Sequence, residues 1–320
     1  MRYLMRRVVN GLCLLLCISL LSFFLTQLAP GEFDQEMRLD PRISATTAAW
    51  LRAQYGLDRS LPVRYWLWLK SAAKGDFGFS FAYDVPVASL LRPRIIHTLS
   101  LSATSTALAW LLAIPIGVWC AARRNDWRDQ VCAGATSTAL AVPDLVLALA
   151  LLLVALRTGW FPAGGMLSIN FEQLSFWGGV RDLLWHLSLP CATLVFAVLP
   201  LLVRHVRASV IEALDMPYIR AAAAHGIPRP RIVWRHALPA AANPLISLFG
   251  MTIGALLSTS LLIEVIMSWP GLGPLVLEAI FARDVHVVIG AVLFSGALLL
   301  AGNLLADLLL LAADPRIRRT

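Results

Sequence analysis

Residues 98–121 read TLSLSATSTALAWLLAIPIGVWCA, twenty-four positions without one charged side chain. A bilayer core takes about 20 consecutive apolar residues as one helix, because backbone groups in lipid have only each other to bond. This stretch is therefore expected to span a membrane. Similar runs occupy 8–29, 131–156, 187–206, 240–263 and 287–312. Composition points the same way: 58% of the 320 residues are hydrophobic and 14% charged, against about 45–50% and about 25% in soluble domains. The expected class is all-α, a polytopic membrane protein of six transmembrane helices.

The first run follows Arg2, Arg6 and Arg7, as the core of a secretory signal does. It is nearer twenty residues than the ~7–15 of a signal core, and Thr26-Gln-Leu28 lacks a small-x-small cleavage pattern, so the helix is expected to be retained. Cys13, Cys17, Cys120, Cys132 and Cys191 lie in or beside the apolar runs and are odd in number, which implies no disulfide framework.

Positive charge sets orientation. With the amino terminus inside, the inner segments hold fifteen arginines, grouped around 2–7, 123–128, 204–235 and 316–319. The two short outer loops hold Arg157, Arg181 and Arg283. Both termini are thus expected on the inner side of the membrane. The net charge of +8 is accounted for by this topology, and no basic, aromatic-bearing soluble module suggests a nucleic-acid partner.

Residues 30–97 form the one long segment outside the membrane. They are expected to hold amphipathic helices at 46–55 and 62–73, then a turn at 75–78. Tyr65, Trp66 and Trp68 suit either a helix lying at headgroup level or a cap packed over the helix ends. Pro115, Pro143, Pro200 and Pro244 are expected to interrupt or kink spanning helices. Gly250 and Gly254 make a small-xxx-small step for close helix approach. The absence of an internal repeat of twenty residues or more argues against an inverted-repeat secondary transporter.

The most informative segment is the inner loop at 204–239. Asp215, Met216 and Pro217 supply an N-cap candidate and a proline in the first turn, while Gly226 followed by Pro228 stops a helix. The intervening helix, 218–225, is almost all alanine with Arg220 exposed. So short a helix is marginal alone in water and needs a partner surface.

Tyr218-Ile-Arg-Ala-Ala-Ala-Ala-His-Gly226 and then Arg235-His-Ala-Leu-Pro239 resemble the cytoplasmic coupling loop of ABC importer permeases, whose pattern is Glu-Ala-Ala, three residues, Gly, and later Leu-Pro. Arg220 stands at the Glu position, as is common in the dipeptide, oligopeptide and nickel branch. Ala223 departs from that branch, which usually has a second Arg there. The resemblance runs along nearly the whole chain: Leu28-Ala-Pro-Gly31, Tyr55-Gly-Leu-Asp58 with Leu61-Pro-Val63, Gly75-Asp-Phe-Gly78, Ile114-Pro-Ile-Gly117, Ser268-Trp-Pro-Gly-Leu-Gly273, and Asn303 through Asp314-Pro-Arg316.

The resemblance implies a type I ABC importer permease fold and a role as one of two homologous permease subunits. Two cytoplasmic ATPase subunits would drive it, an extracytoplasmic binding protein would feed it, and membrane lipid would surround it. Tyr218, Arg220, Ala221, Ala222, Gly226, Leu238 and Pro239 would meet the ATPase. Dipeptides or oligopeptides are the implied cargo, with nickel or a metal chelate as the alternative. A stand-alone secondary transporter or channel is the rival of another class. The implied divisions are an N-terminal helix and loop (1–97), a permease domain (98–312) and a cytoplasmic tail (313–320).

The chain lacks a Gly-x-x-x-x-Gly-Lys-Ser/Thr loop and a His-Glu-x-x-His helix. No enzyme activity, metal site or cofactor is expected here, and ATP and Mg would bind the partner ATPases. Asp144, near the middle of the third run, reads either as a carboxylate lining the path for cationic or amine-bearing cargo or as one paired with a neighbouring helix or subunit. Glu264 is expected to face an outer vestibule. Trp269, Pro270, Gly271 and Gly273 are expected to form an outer gate or a contact for the binding protein. Asn303 and Asp307 are expected to hold helices together.

Overall fold

Uninterrupted apolar runs become long helices, and those helices organise the protein. A computed structural model describes residues 2–28, 59–80 and 82–313. In chain order the helices are α1 (Arg2–Leu28), α2 (Leu61–Ala72), α3 (Val87–Ala122), α4 (Trp127–Leu140), α5 (Asp144–Thr158), α6 (Phe176–Leu214), α7 (Pro217–Ala224), α8 (Arg229–Ile232), α9 (Leu238–Ala240), α10 (Ala242–Ile266), α11 (Leu272–Phe281) and α12 (Val285–Ala313). One two-stranded hairpin, β1 (Phe79–Ser80) and β2 (Val85–Pro86), pairs antiparallel just before α3. The expected helix at 46–55, the motif at 28–31 beyond Leu28, the whole motif at 55–58 and the tail from 314 lie outside the described residues.

Helices α1, α3, α6, α10 and α12 are each long and apolar enough to cross a bilayer. The third expected span is not one helix. It is α4 and α5, bent by 95° at a short break, so six spans are reached with this pair taken as one. Pro143 is the cause: it N-caps α5 with ψ 141°, and its ring disfavours helical backbone at the preceding Val142. The other three expected prolines do not interrupt a helix. Pro115 lies inside continuous α3 and Pro200 inside continuous α6, while Pro244 sits in the first turn of α10, where a missing N–H costs no intrahelical bond.

The core runs along α3, α6 and α10, through Leu101, Ala109, Leu194, Leu202, Val206 and Leu256, all buried. The C-terminal ends of α3 and α6 meet where Arg124 pairs with Asp215 at 2.8 Å. Behind it, α10 lies close on α12: Cβ atoms built on Gly250 and Gly254 would stand 2.4 Å from Ala306 Cβ and Leu299 Cδ1. The small-xxx-small step therefore has its neighbour. Helix α1 joins α12 through Arg7 and Asp307, 3.1 Å apart, and Asn303 lies exposed one turn earlier. Most of α1, including Leu12, Leu16, Leu20 and Phe24, is exposed apolar surface, as lipid contact requires.

The cap and headgroup readings of α2 divide residue by residue. Tyr65 and the Ser19 hydroxyl are 2.7 Å apart in a hydrogen bond, and the Trp68 indole is buried and donates to the Phe77 carbonyl. Trp66 points away, 65% exposed. The hairpin clamps the α11–α12 corner: the Ser80 hydroxyl donates to Asp284 at 2.6 Å and the Tyr83 hydroxyl to Glu278 at 2.6 Å. Burial and the Glu278 carboxylate push the Tyr83 phenol up to about 12, so the group stays a donor. The boundary expected at 97 falls inside α3, which begins ten residues earlier.

Candidate functional site

Between α6 and α10 the chain makes a short excursion, and its central helix is held by very little. Pro217 opens α7 with Met216 as the N-cap residue, whose side chain makes no cap bond. Asp215 does not cap the helix as expected, because its carboxylate is engaged by Arg124. Ile219 is fully buried in the core, a contribution of about 1.5–3 kcal/mol. Around it Tyr218, Arg220, Ala221, Ala223 and Ala224 are exposed and Ala222 is half-buried.

The helix stop is complete. The Gly226 amide donates to the Ala223 carbonyl at 3.0 Å and the Ile227 amide to the Ala222 carbonyl at 3.3 Å, the paired bonds of a Schellman end. Gly226 has φ +81°, a conformation that is costly once a residue carries a Cβ. No atom lies within 4 Å of where that Cβ would be, so the requirement is conformational and not steric.

The return to α10 passes through α8, a π-helical turn at Val233–Ala237 and α9. The Leu238 amide bonds the Val233 carbonyl five residues back, just ahead of Pro239, which has no amide to offer. Leu238 packs on the core and Pro239 is exposed. The sequence marks the Leu-Pro pair but carries no signal for the π turn. It also ended the fourth span at 206, whereas α6 continues to Leu214.

The other candidates sit elsewhere and not all as expected. Asp144 is the first residue of α5, at the bend and half-buried, not mid-helix. A carboxylate in the first turn of a helix is favoured by the N-terminal dipole. Glu264 does not face a vestibule: it is wholly buried, with Oε2 accepting from the Gly273 amide at 2.8 Å and Oε1 without a partner among the described residues. Trp269 is buried as well, its indole donating to the His97 carbonyl at 3.1 Å, and the Pro270 carbonyl lies 2.7 Å from His97 Nδ1. Gly271 and Gly273 are enclosed beneath the turn, which leaves Ser268 exposed and Pro270 half-buried at its surface. These residues lock the end of α10 to α3; Trp269 offers no open contact face in this chain.

Two carboxylate contacts have no signal in the sequence. Arg207 of α6 grips Asp129 of α4 with two hydrogen bonds, 2.5 and 2.6 Å. Asp129 stands in a helix read only from its apolar part, and the single acidic residue near the end of a run gave no sign of a partner 78 positions away. The hairpin clamp on Asp284 was likewise silent. Among the described residues no cluster of three His, Cys, Asp or Glu side chains is placed to hold a metal.

This arrangement, long apolar helices around one core with a lightly anchored surface helix between the fourth and fifth spans, defines a polytopic membrane protein. Residues 113–319 match the binding-protein-dependent transport system inner membrane component family, and residues 1–102 match its N-terminal companion. The chain belongs to this family, the multi-pass inner-membrane permeases of ABC importers. It is 35% identical to the oligopeptide transport system permease protein AppB of Bacillus subtilis over 98% of both chains. It is 32% identical to the oligopeptide transport system permease protein OppB of Mycobacterium tuberculosis over 99% of both chains. The glutathione transport system permease protein GsiC of Salmonella typhi is 31% identical over 99% of each. Among solved structures, an inward-facing MetNI methionine ABC transporter matches with a TM-score of 0.58 at 17% identity, covering 70% of this chain and 96% of that one; this likeness concerns the fold. Membership implies ATPase and substrate-binding partners.

Proposed function

We propose that the chain is one of two permease subunits of a peptide importer and that α7 is the contact through which a cytoplasmic ATPase drives it. The observation that carries this is the state of α7: one buried residue, Ile219, fixes it while Tyr218, Arg220, Ala221 and Ala223 face outward. A helix of eight residues needs more packing than that to persist in water, and a groove on a partner supplies it. Oligopeptide cargo is supported by the relatives named for it, matched along their full length. The arginine asymmetry supports cytoplasmic termini and a cytoplasmic α7. ATP and Mg then belong to two ATPase subunits, and cargo arrives from an extracytoplasmic binding protein.

The test is site-directed cross-linking in a variant without the five native cysteines. Ala223→Cys alkylated with a maleimide-benzophenone should photocross-link to the ATPase of the assembled complex, and Asn170→Cys carrying the same label should not. The reading is overturned by failure of Ala223→Cys, together with Ala221→Cys and Tyr218→Cys, to link in a complex that retains its ATPases.

A further inference from the structure

A groove between the C-terminal end of α3 and the segment starting at α8 takes no part in the contact just described. It encloses about 590 Å³. Pro115 and Val118 give it apolar lining, and the exposed indoles of Trp119 and Trp234 flank them. Arg123 and Arg229 complete it. The Arg229 guanidinium donates to the Ala122 carbonyl at 2.7 Å, the terminal residue of α3, where the helix dipole favours a cation. The Arg123 guanidinium stands 4.8 Å from the Trp119 ring centre. Neither arginine has a carboxylate within ion-pair distance among the described residues.

We propose that this groove binds an anionic phospholipid, with Arg123 and Arg229 on its phosphate and an acyl chain along Pro115 and Val118. Two guanidinium groups lacking a counter-charge match a phosphate in charge and in bidentate geometry. Tryptophan settles at headgroup depth, so the two indoles place the groove where a phosphate meets its acyl chains. A net negative headgroup is selected over a zwitterionic one, whose ammonium would face the same arginines. The bound lipid would bridge the end of α3 to the segment that follows Gly226, and so brace the coupling excursion from the membrane side. The proposal rests on the chain being a membrane permease and not on its cargo or on ATPase docking at α7.

The experiment uses the whole transporter, with its ATPases, in nanodiscs of phosphatidylethanolamine doped with photoreactive phosphatidylglycerol. Photolabel should map to residues 115–123 and 229–234, and excess unlabelled phosphatidylglycerol should compete it away while millimolar glycerol phosphate does not. Arg123→Gln removes one cation without touching the Ala122 bond and should lower phosphatidylglycerol binding about fivefold; Arg123→Gln with Arg229→Gln should lower it further. Phosphatidylethanolamine binding should not change. Equal labelling by photoreactive forms of both lipids overturns the proposal. So does undiminished binding by Arg123→Gln, or protection of the groove by a protein subunit in the assembled transporter.

Discussion

The Glu264 carboxylate accepts a hydrogen bond from the Gly273 amide at 2.8 Å, and a Cβ built on Gly273 would lie 2.1 Å from the Leu261 carbonyl oxygen. The turn after α10 is thus fixed by a buried acceptor and by the lack of a side chain at one position. Gly273→Ala forces the backbone of α10 and α11 apart and should destabilise the complex by about 1–3 kcal/mol. Glu264→Ala strands the amide and should cost about 1–3 kcal/mol, while Glu264→Gln keeps an acceptor oxygen and should cost less. Thermal unfolding of the purified complex reads all three. Gly134→Ala serves as the control, since nothing lies within 4 Å of its Cβ position.

The Arg207–Asp129 pair ties α6 to α4 at a point where Asp129 is buried and Arg207 half-buried. Removing one partner leaves a charge in a poorly solvated place. Asp129→Leu alone should therefore lower stability by about 3 kcal/mol, and Asp129→Leu combined with Arg207→Met should recover most of the loss. A double-mutant cycle on the same unfolding assay measures the difference; equal losses in the single and double variants would count against a coupled pair.

Orientation is tested by labelling single cysteines placed in a cysteine-free chain. Asn170→Cys should react with an impermeant maleimide from outside intact cells. Asp126→Cys and Pro228→Cys should react only after permeabilisation. Outside labelling of position 228 would invert the assignment and remove α7 from any cytoplasmic partner.

Asp144, half-buried where α4 and α5 bend, makes no ion pair or hydrogen bond among the described residues. A path-lining carboxylate predicts that Asp144→Asn shifts preference away from cationic peptides while the complex assembles normally. Competition uptake with lysine-rich and neutral peptides of equal length checks it. Loss of assembly with unchanged preference would instead make the residue a link to another subunit.

The spans were legible because lipid imposes its requirement on composition, and 98–121 carries it without interruption. The eight-residue α7 was legible to within one residue because Pro217 and Gly226 mark its ends chemically. What escaped needs direction or distance. Apolar runs give depth but not facing, so they do not tell that Glu264 lies under a turn and not in a vestibule, or that Trp66 points away while Tyr65 and Trp68 stack together. Helix α11 is ten residues, too short for a span and without a side-chain cap to announce it. A helix ends at Pro143 but runs on through Pro115 and Pro200, and the residue type alone does not separate the two outcomes.

The central claim is that α7 passes ATPase motion to the spans, and Gly226 is where it is most exposed to test. Gly226→Val places a β-branched side chain at φ +81°, at a cost of about 1–2 kcal/mol that the chain relieves by leaving the helix in another direction. Because no neighbour is struck, the spans should still insert and the ATPases should still bind. Uptake and ATP hydrolysis are then measured side by side on the reconstituted complex with its binding protein. The account predicts hydrolysis that persists while uptake falls at least tenfold. Uptake at the unmodified rate, in a complex that retains its ATPase subunits, would contradict it.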